Sequence, residues 1–254
     1  MGMLDRRVAI VTGAGSGIGR ATALRLAEEG AHTVVVDIAP DWGQETVAMI
    51  KAQGGDGTFV EADVTDGDAV ADMVQAVLDA YGAIHVLHNN VGGGGAKAAH
   101  ETSEENWDRV LRITLKSVYL CSKAVIPTML EQGGGSIVNT ASVLGLVASP
   151  NQAAYCAAKG AVVMLTKQMA IDYAAQGIRV NCVCPSDIET PAHKRFFASR
   201  TDPEAVRQSL LDRHPINRFG GPKEVAEAVL WLASDAASFV TGVALPVDGG
   251  LTAW

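Results

Sequence analysis

At 254 residues, with 48% hydrophobic content and 27 glycines spread along its length, the chain can bury a large core and still turn often, which suits one α/β domain over residues 1–254. A formal net charge of −8 and a pI near 5.2 exclude the clustered Lys and Arg of a nucleic-acid surface. Met1–Arg7 is charged without an apolar signal core, and no segment approaches the roughly 18 uninterrupted apolar residues of a membrane span, so the expected setting is the cytoplasm, with no membrane partner.

Arg7–Thr12 (RVAIVT) is a short run rich in β-branched residues, followed by a glycine turn and an amphipathic stretch, Ile18–Glu29, with Ala21, Leu24 and Ala27 on its apolar face. Strands are then predicted at His32–Asp37, Thr58–Glu61, Ile84–Asn89, Ser136–Thr140, Arg179–Cys184 and Ala244–Val247, with helical segments between them. Seven strands alternating with helices make a doubly wound parallel sheet. The near-continuous apolar runs VAIV, TVVV and IHVL predict helices on both faces, because half-exposed strands would alternate with polar residues. Ligands of such sheets sit beyond the carboxyl ends of the strands, where the winding reverses.

The four cysteines, Cys121, Cys156, Cys182 and Cys184, lack zinc-site spacing and read as small core residues, and the six histidines show no HExxH pattern. No catalytic metal is expected.

Thr12-Gly13-Ala14-Gly15-Ser16-Gly17-Ile18-Gly19 follows the first strand and opens directly into a helix. Glycines there let the backbone approach a pyrophosphate, whose charge meets free N–H groups at the helix N-terminus. Asp37 ends the second strand, 24 residues after Gly13, where a carboxylate can accept both adenosine ribose hydroxyls. The same charge repels a 2′-phosphate, and Ala14, Gly15, Ser16 and Ile38 offer no basic offset, so NAD is expected rather than NADP.

Tyr155 and Lys159 stand four residues apart at the head of a helical segment, on one face. Ser142, in Asn139-Thr140-Ala141-Ser142, lies just beyond the fifth strand and so on the ligand-binding edge. A phenol with a pKa of about 10 is a poor base at neutral pH, but a neighbouring ammonium and an oxidised nicotinamide favour phenolate and make Tyr155 a usable acid/base.

TGAGSGIG, NNVG, Ser142, the YxxxK pair, a PSxxxTP segment and the closing Phe239-Val240-Thr241-Gly242 through Val247-Asp248-Gly249-Gly250 occur in order from about residue 5 to the end. The chain thereby resembles the short-chain dehydrogenase/reductase family. The resemblance implies a single Rossmann-type domain with a seven-stranded sheet, a nicotinamide cofactor, a small-molecule alcohol or ketone as substrate, and a homo-oligomer, expected to be a homotetramer. It implies that Gly13, Ser16, Gly17, Ile18 and Gly19 hold the pyrophosphate, Asp37 and Ile38 the adenosine ribose, and Asp63 and Val64 the adenine. Asn90 supports the cofactor near its ribose, Ile188 and Thr190 contact the carboxamide, and Lys159 binds the nicotinamide ribose beside Tyr155.

Three departures from the family pattern stand out. NNVG replaces NNAG, adding two methyl groups beside the cofactor, and Pro185-Ser186 replaces Pro-Gly, setting a hydroxyl on the substrate side of the nicotinamide. After Trp107-Asp108-Arg109-Val110, Thr114 stands where the pattern has an active-site asparagine that helps hold a water behind the lysine, so a weaker but working proton relay is expected.

The expected activity is hydride transfer between NAD and a secondary alcohol or ketone, with Tyr155 as general acid/base. Alternatives are a reductase of 3-oxoacyl thioesters and a non-catalytic NAD-binding sensor that kept the frame. Pro191–Pro215, with His193, Lys194, Arg195, Phe196 and Phe197, reads as a lid over the substrate, mixed aromatic and basic, which would suit an apolar body with an anionic group. Trp254, a large apolar terminus, is expected at a subunit boundary with the last strand.

Overall fold

The computed structural model describes residues 2–253; Trp254 lies outside the described residues. The chain runs β1 (Val8–Thr12), α1 (Gly17–Glu28), β2 (His32–Asp37), α2 (Pro40–Ala52), β3 (Asp56–Glu61), α3 (Gly67–Tyr81) and β4 (Val86–Asn89). It continues through α4 (Glu104–Leu111), α5 (Ser117–Glu131), β5 (Gly135–Thr140), α6 (Ala153–Tyr173) and β6 (Ile178–Pro185). The last elements are α7 (Pro191–Ala198), α8 (Pro203–Leu211), α9 (Pro222–Ala233) and β7 (Ala244–Val247). All seven predicted strands form, with ends displaced by at most two residues. The third begins early, at Asp56, because Gly57 slips under the Ile50 side chain and pairs with Thr33.

The sheet order is β3-β2-β1-β4-β5-β6-β7 and every pairing is parallel. Side chains alternate between two cores, which is why the strands read as unbroken apolar runs. Val8 and Ile10 join Met73, Val77, Val125 and Met129 on one face, while Ala9 and Val11 join Ile50, Val225, Val229 and Leu232 on the other. Burying a side chain such as Ile10, which is fully enclosed, contributes about 1.5–3 kcal/mol.

Strand β1 lies between β2 and β4, so the winding reverses there and the carboxyl ends of β1 and β4 bound a crevice. A polar lattice fixes these ends. The Asn89 amide donates to Asn139 Oδ1 (2.9 Å) and Ser122 Oγ (3.1 Å), and Asn139 donates to Thr166 Oγ1 (2.9 Å). Thr12 Oγ1 donates to the His88 carbonyl and accepts from the Asn90 N–H (3.0 Å). Between α4 and α5 the helix passes through one wide π-helical turn, Arg112–Lys116, which turns Thr114 fully inward.

Candidate active site

The first glycine turn is shaped by what cannot fit there. Gly13 has φ +60°, and a Cβ on Gly19 would lie 2.1 Å from the Gly13 carbonyl oxygen, so a side chain at residue 19 would force the turn apart. Ser16 precedes α1 but its side chain makes no capping bond, which leaves the first N–H groups of the helix free for an anion. A cleft of about 530 Å³ opens over this turn, lined by Gly13, Ser16, Gly17, Ile18, Asp37, Ile38, Asp63, Val64, Asn90 and Thr190. The donor set and the shape suit a dinucleotide.

Asp37 is tied to the turn it serves. Its Oδ2 accepts from the Gly15 N–H (2.8 Å) and its Oδ1 from the Ala39 N–H (3.0 Å), so the carboxylate faces the cleft at a fixed height. Arg20, the nearest basic side chain on α1, is bound to the Gly15 carbonyl and to Glu45 and does not line the cleft. The Asn90 amide donates to the carbonyls of Thr12 (3.2 Å) and Gly13 (3.3 Å), joining the ends of β4 and β1. Val91 Cγ2 lies 3.1 Å from where a Gly13 Cβ would stand, so the two extra methyl groups of NNVG close the packing behind the turn.

An adjoining cavity of about 340 Å³ shares Ile18, Asn90 and Thr190 with the cleft and brings together Ser142, Tyr155, Lys159 and Ile188. Ser142 stands two residues beyond β5, Tyr155 sits in the first turn of α6, and Lys159 lies one turn on, its ammonium 5.7 Å from the Tyr155 ring centre. Lys159 is 2% exposed and donates to the Thr140 carbonyl. Burial pushes its pKa down to about 8. Burial also pushes the Tyr155 phenol up to about 12, against the opposing pull of the Ser142 hydroxyl. With no nicotinamide beside the phenol, burial is the largest influence on it, ahead of the opposing pull of Ser142.

Of the sequence-derived site residues, Gly19 and Thr114 do not line either cavity. Gly19 underlies the turn. The Thr114 hydroxyl donates to the Gly93 carbonyl (3.0 Å) and accepts from the Gly93 N–H (3.2 Å), so it pins the glycine loop that follows β4. That loop leans on Lys159 and Tyr155: a Cβ on Gly92 would stand 3.1 Å from Lys159 Nζ, and one on Gly94 3.3 Å from the Tyr155 ring.

None of the lysine and arginine side chains of segment 190–215 lines the smaller cavity. Arg195 lines the larger cleft, and Arg200 stacks over Phe196 (4.1 Å). His193 and Phe196 line the cavity, and His193 packs edge-on to Phe197 and Phe219.

Sequence reasoning missed the support behind the site. His88 is fully buried, its Nε2 2.8 Å from Thr140 Oγ1, and burial pushes its pKa down to about 3. It also missed His214, whose Nε2 lies 2.9 Å from Ser186 Oγ. Partners 52 and 28 residues apart leave no local signal.

The family model described as enoyl-(acyl carrier protein) reductase matches residues 13–252. The chain is 41% identical over 251 residues to 2-(S)-hydroxypropyl-CoM dehydrogenase 3 of Xanthobacter autotrophicus, covering 98% of each protein. It is 44% identical over 248 residues to cis-4-hydroxycyclohexanecarboxylate dehydrogenase of Sinomonas cyclohexanicum, covering 97% of each. A short-chain dehydrogenase/reductase structure from Burkholderia xenovorans superposes with a TM-score of 0.98 at 38% identity, over 100% of this chain and 99% of that one. With the glycine turn, the Ser–Tyr–Lys cavity and these likenesses together, the chain belongs to the short-chain dehydrogenase/reductase family, whose members bind a nicotinamide cofactor.

Proposed function

We propose that the protein is an NAD-dependent dehydrogenase of secondary alcohols, working reversibly on the corresponding ketones. The observation that carries the reading is the convergence of Ser142, Tyr155 and Lys159 in one cavity that runs into the glycine-lined cleft. When bound, the nicotinamide supplies or takes up hydride. The rest falls to the chain's own side chains.

Gly13, Ser16, Gly17, Ile18 and Gly19 hold the pyrophosphate, Asp37 and Ile38 the adenosine ribose, Asp63 and Val64 the adenine, and Ile188 and Thr190 the carboxamide. Asn90 braces the turn through its bonds to Thr12 and Gly13. Tyr155 exchanges a proton with the substrate oxygen, and Ser142 hydrogen-bonds that same oxygen and orients it. Lys159, held by Thr140, positions the ribose and lowers the cost of phenolate once the positive nicotinamide stands beside it. NAD is preferred because Asp37 presents a fixed carboxylate to the ribose with no basic side chain of the first turn beside it.

The elements α7 and α8 form the lid of this single domain. The four cysteines are free thiols, which suits the cytoplasm, and no helix among the described residues is long and apolar enough to cross a membrane. A homotetramer is favoured by two separate faces with no partner among the described residues: the open edge of β7 together with the fully exposed Phe239, and the α5–α6 face carrying Tyr119 and Met164. Light scattering at micromolar concentration should give four subunits; a monomer would refute the assembly.

The activity is tested by following nicotinamide absorbance with NAD and NADP against secondary alcohols, sugars, hydroxy acids and 3-oxoacyl thioesters. Turnover of an alcohol with NAD is the expected result. Preference for a thioester with NADP would select the acyl reductase reading, and no turnover with any compound would select the non-catalytic sensor.

A further inference from the structure

The substrate end of the cavity contains a hydrogen-bonding group set whose polarity can be worked out. His214, on the chain just after α8, is 3% exposed, and its Nδ1 lies 2.8 Å from the Leu210 carbonyl. A carbonyl only accepts, so Nδ1 carries the hydrogen. In the neutral ring Nε2 is then a bare acceptor, and the hydrogen in its 2.9 Å contact with Ser186 comes from the serine hydroxyl. In that state Ser186 commits its only hydrogen backward and turns lone pairs toward the cavity it lines. Asp187, beside it, is also acceptor-only.

The third member is incomplete. His193 Nε2 is buried, has no hydrogen-bond partner among the described residues, and stands 3.5 Å from Asp187 Oδ1, in the same cavity. A buried polar atom left unpaired is unfavourable, so a ligand group that completes it binds the more tightly. The group that fits must donate to Ser186 or Asp187 and can accept from an imidazole N–H. A hydroxyl does both. An ether or a carboxylate only accepts, and a carboxylate is also repelled by Asp187.

We propose that Ser186, held by His214 and flanked by Asp187 and His193, selects secondary alcohols that carry a second hydroxyl group, and the corresponding hydroxyketones. Ser186 is a specificity residue in this account, and His214 a positioning residue behind it. The proposal rests on the dehydrogenase reading for the reacting carbon, but the second hydroxyl is recognised whether or not turnover follows.

The test uses cyclohexane-1,2-, 1,3- and 1,4-diol, their monomethyl ethers and 4-hydroxycyclohexanecarboxylate. One arm measures kcat/KM with NAD; the other measures dissociation constants by calorimetry on NAD-loaded Tyr155→Phe protein. At least one diol should be preferred about tenfold over its ether, expressed mainly in KM, with the carboxylate weaker still. Ser186→Ala should cut that ratio to about one or two, and Ser186→Thr, which keeps the hydroxyl, should restore it. A wild-type ratio near one, a ratio untouched by Ser186→Ala, or a preference for the carboxylate overturns the inference. Absence of turnover with an intact calorimetric ratio overturns the dehydrogenase reading and leaves the hydroxyl site standing.

Discussion

The two halves of the carboxyl edge are built by different means. On the side proposed to take the adenosine the shape is made by the main chain: a glycine at φ +60°, a helix start with free N–H groups, and one carboxylate strapped to the turn by backbone donors. On the side proposed to take the substrate the shape is made by side chains that reach across the sequence, Ser142 to Tyr155, Ser186 to His214 and Asp187 to His193. The first half can change little without losing its ligand, because a backbone cradle has no alternative rotamers. The second can be retuned one side chain at a time, which is how one frame serves many alcohols.

The largest expected effect breaks the substrate half alone. Tyr155→Phe removes the exchangeable proton while keeping the ring that packs against the Gly94 backbone, so kcat should fall by about a thousandfold or more and NAD affinity by less than about threefold. Calorimetry with NAD and steady-state rates on the same preparation check both parts. Activity above about one per cent of wild type would mean that another group is the acid/base.

A change on the adenosine side should do the reverse. Asp37→Asn keeps an oxygen to accept from the Gly15 N–H but removes the charge, whereas Asp37→Ala would release the turn as well. The ratio of kcat/KM for NAD over NADP should drop by roughly 10- to 100-fold with little change in the alcohol KM, since an uncompensated charge pair a few ångströms apart is worth about 2 kcal/mol near a surface. A ratio that does not move would place cofactor choice elsewhere, with Arg112 and Arg195 at the other wall of the cleft the next residues to change.

This division also explains what could be read from the sequence. The strands, the glycine turn and Asp37 are legible because each is local: a β-branched run, a fixed glycine spacing, an acidic residue at a strand end. Ser142, Tyr155 and Lys159 are legible because each stands immediately beyond a strand or at a helix start. His88 under Thr140 and His214 behind Ser186 are not, since a lone histidine in an apolar run, or before Pro215, carries no local mark of its partner. Composition likewise does not say where the side chains of segment 190–215 point: helix geometry turns Arg195 into the larger cleft and His193 toward the smaller cavity.

The smallest effect is expected at the seam between the halves, at Thr114. Its hydroxyl spends its hydrogen on the Gly93 carbonyl and takes one from the Gly93 N–H, and the loop it pins stands against Lys159 and Tyr155. Thr114→Val is isosteric and loses both bonds. Each is worth about 1 kcal/mol, and water can replace part of that at the half-buried Gly93, so kcat should fall only several-fold and NAD affinity should hold. Thr114→Asn probes the same seam from the other side. An amide matches a peptide's donor and acceptor, so it can keep both Gly93 contacts while bringing an additional lone pair and hydrogen toward the space behind Lys159, at the cost of fitting more volume into a fully buried position. If the relay behind the lysine limits turnover, Thr114→Asn raises kcat with cofactor affinity unchanged, and the gain is greatest where proton release is slow. A pH series on the wild type and both variants, repeated in deuterated solvent, separates the two roles: a solvent isotope effect that shrinks in Thr114→Asn marks a relay, whereas identical profiles for wild type and Thr114→Asn, with a loss only in Thr114→Val, mark a residue whose whole task is to hold Gly93 in place.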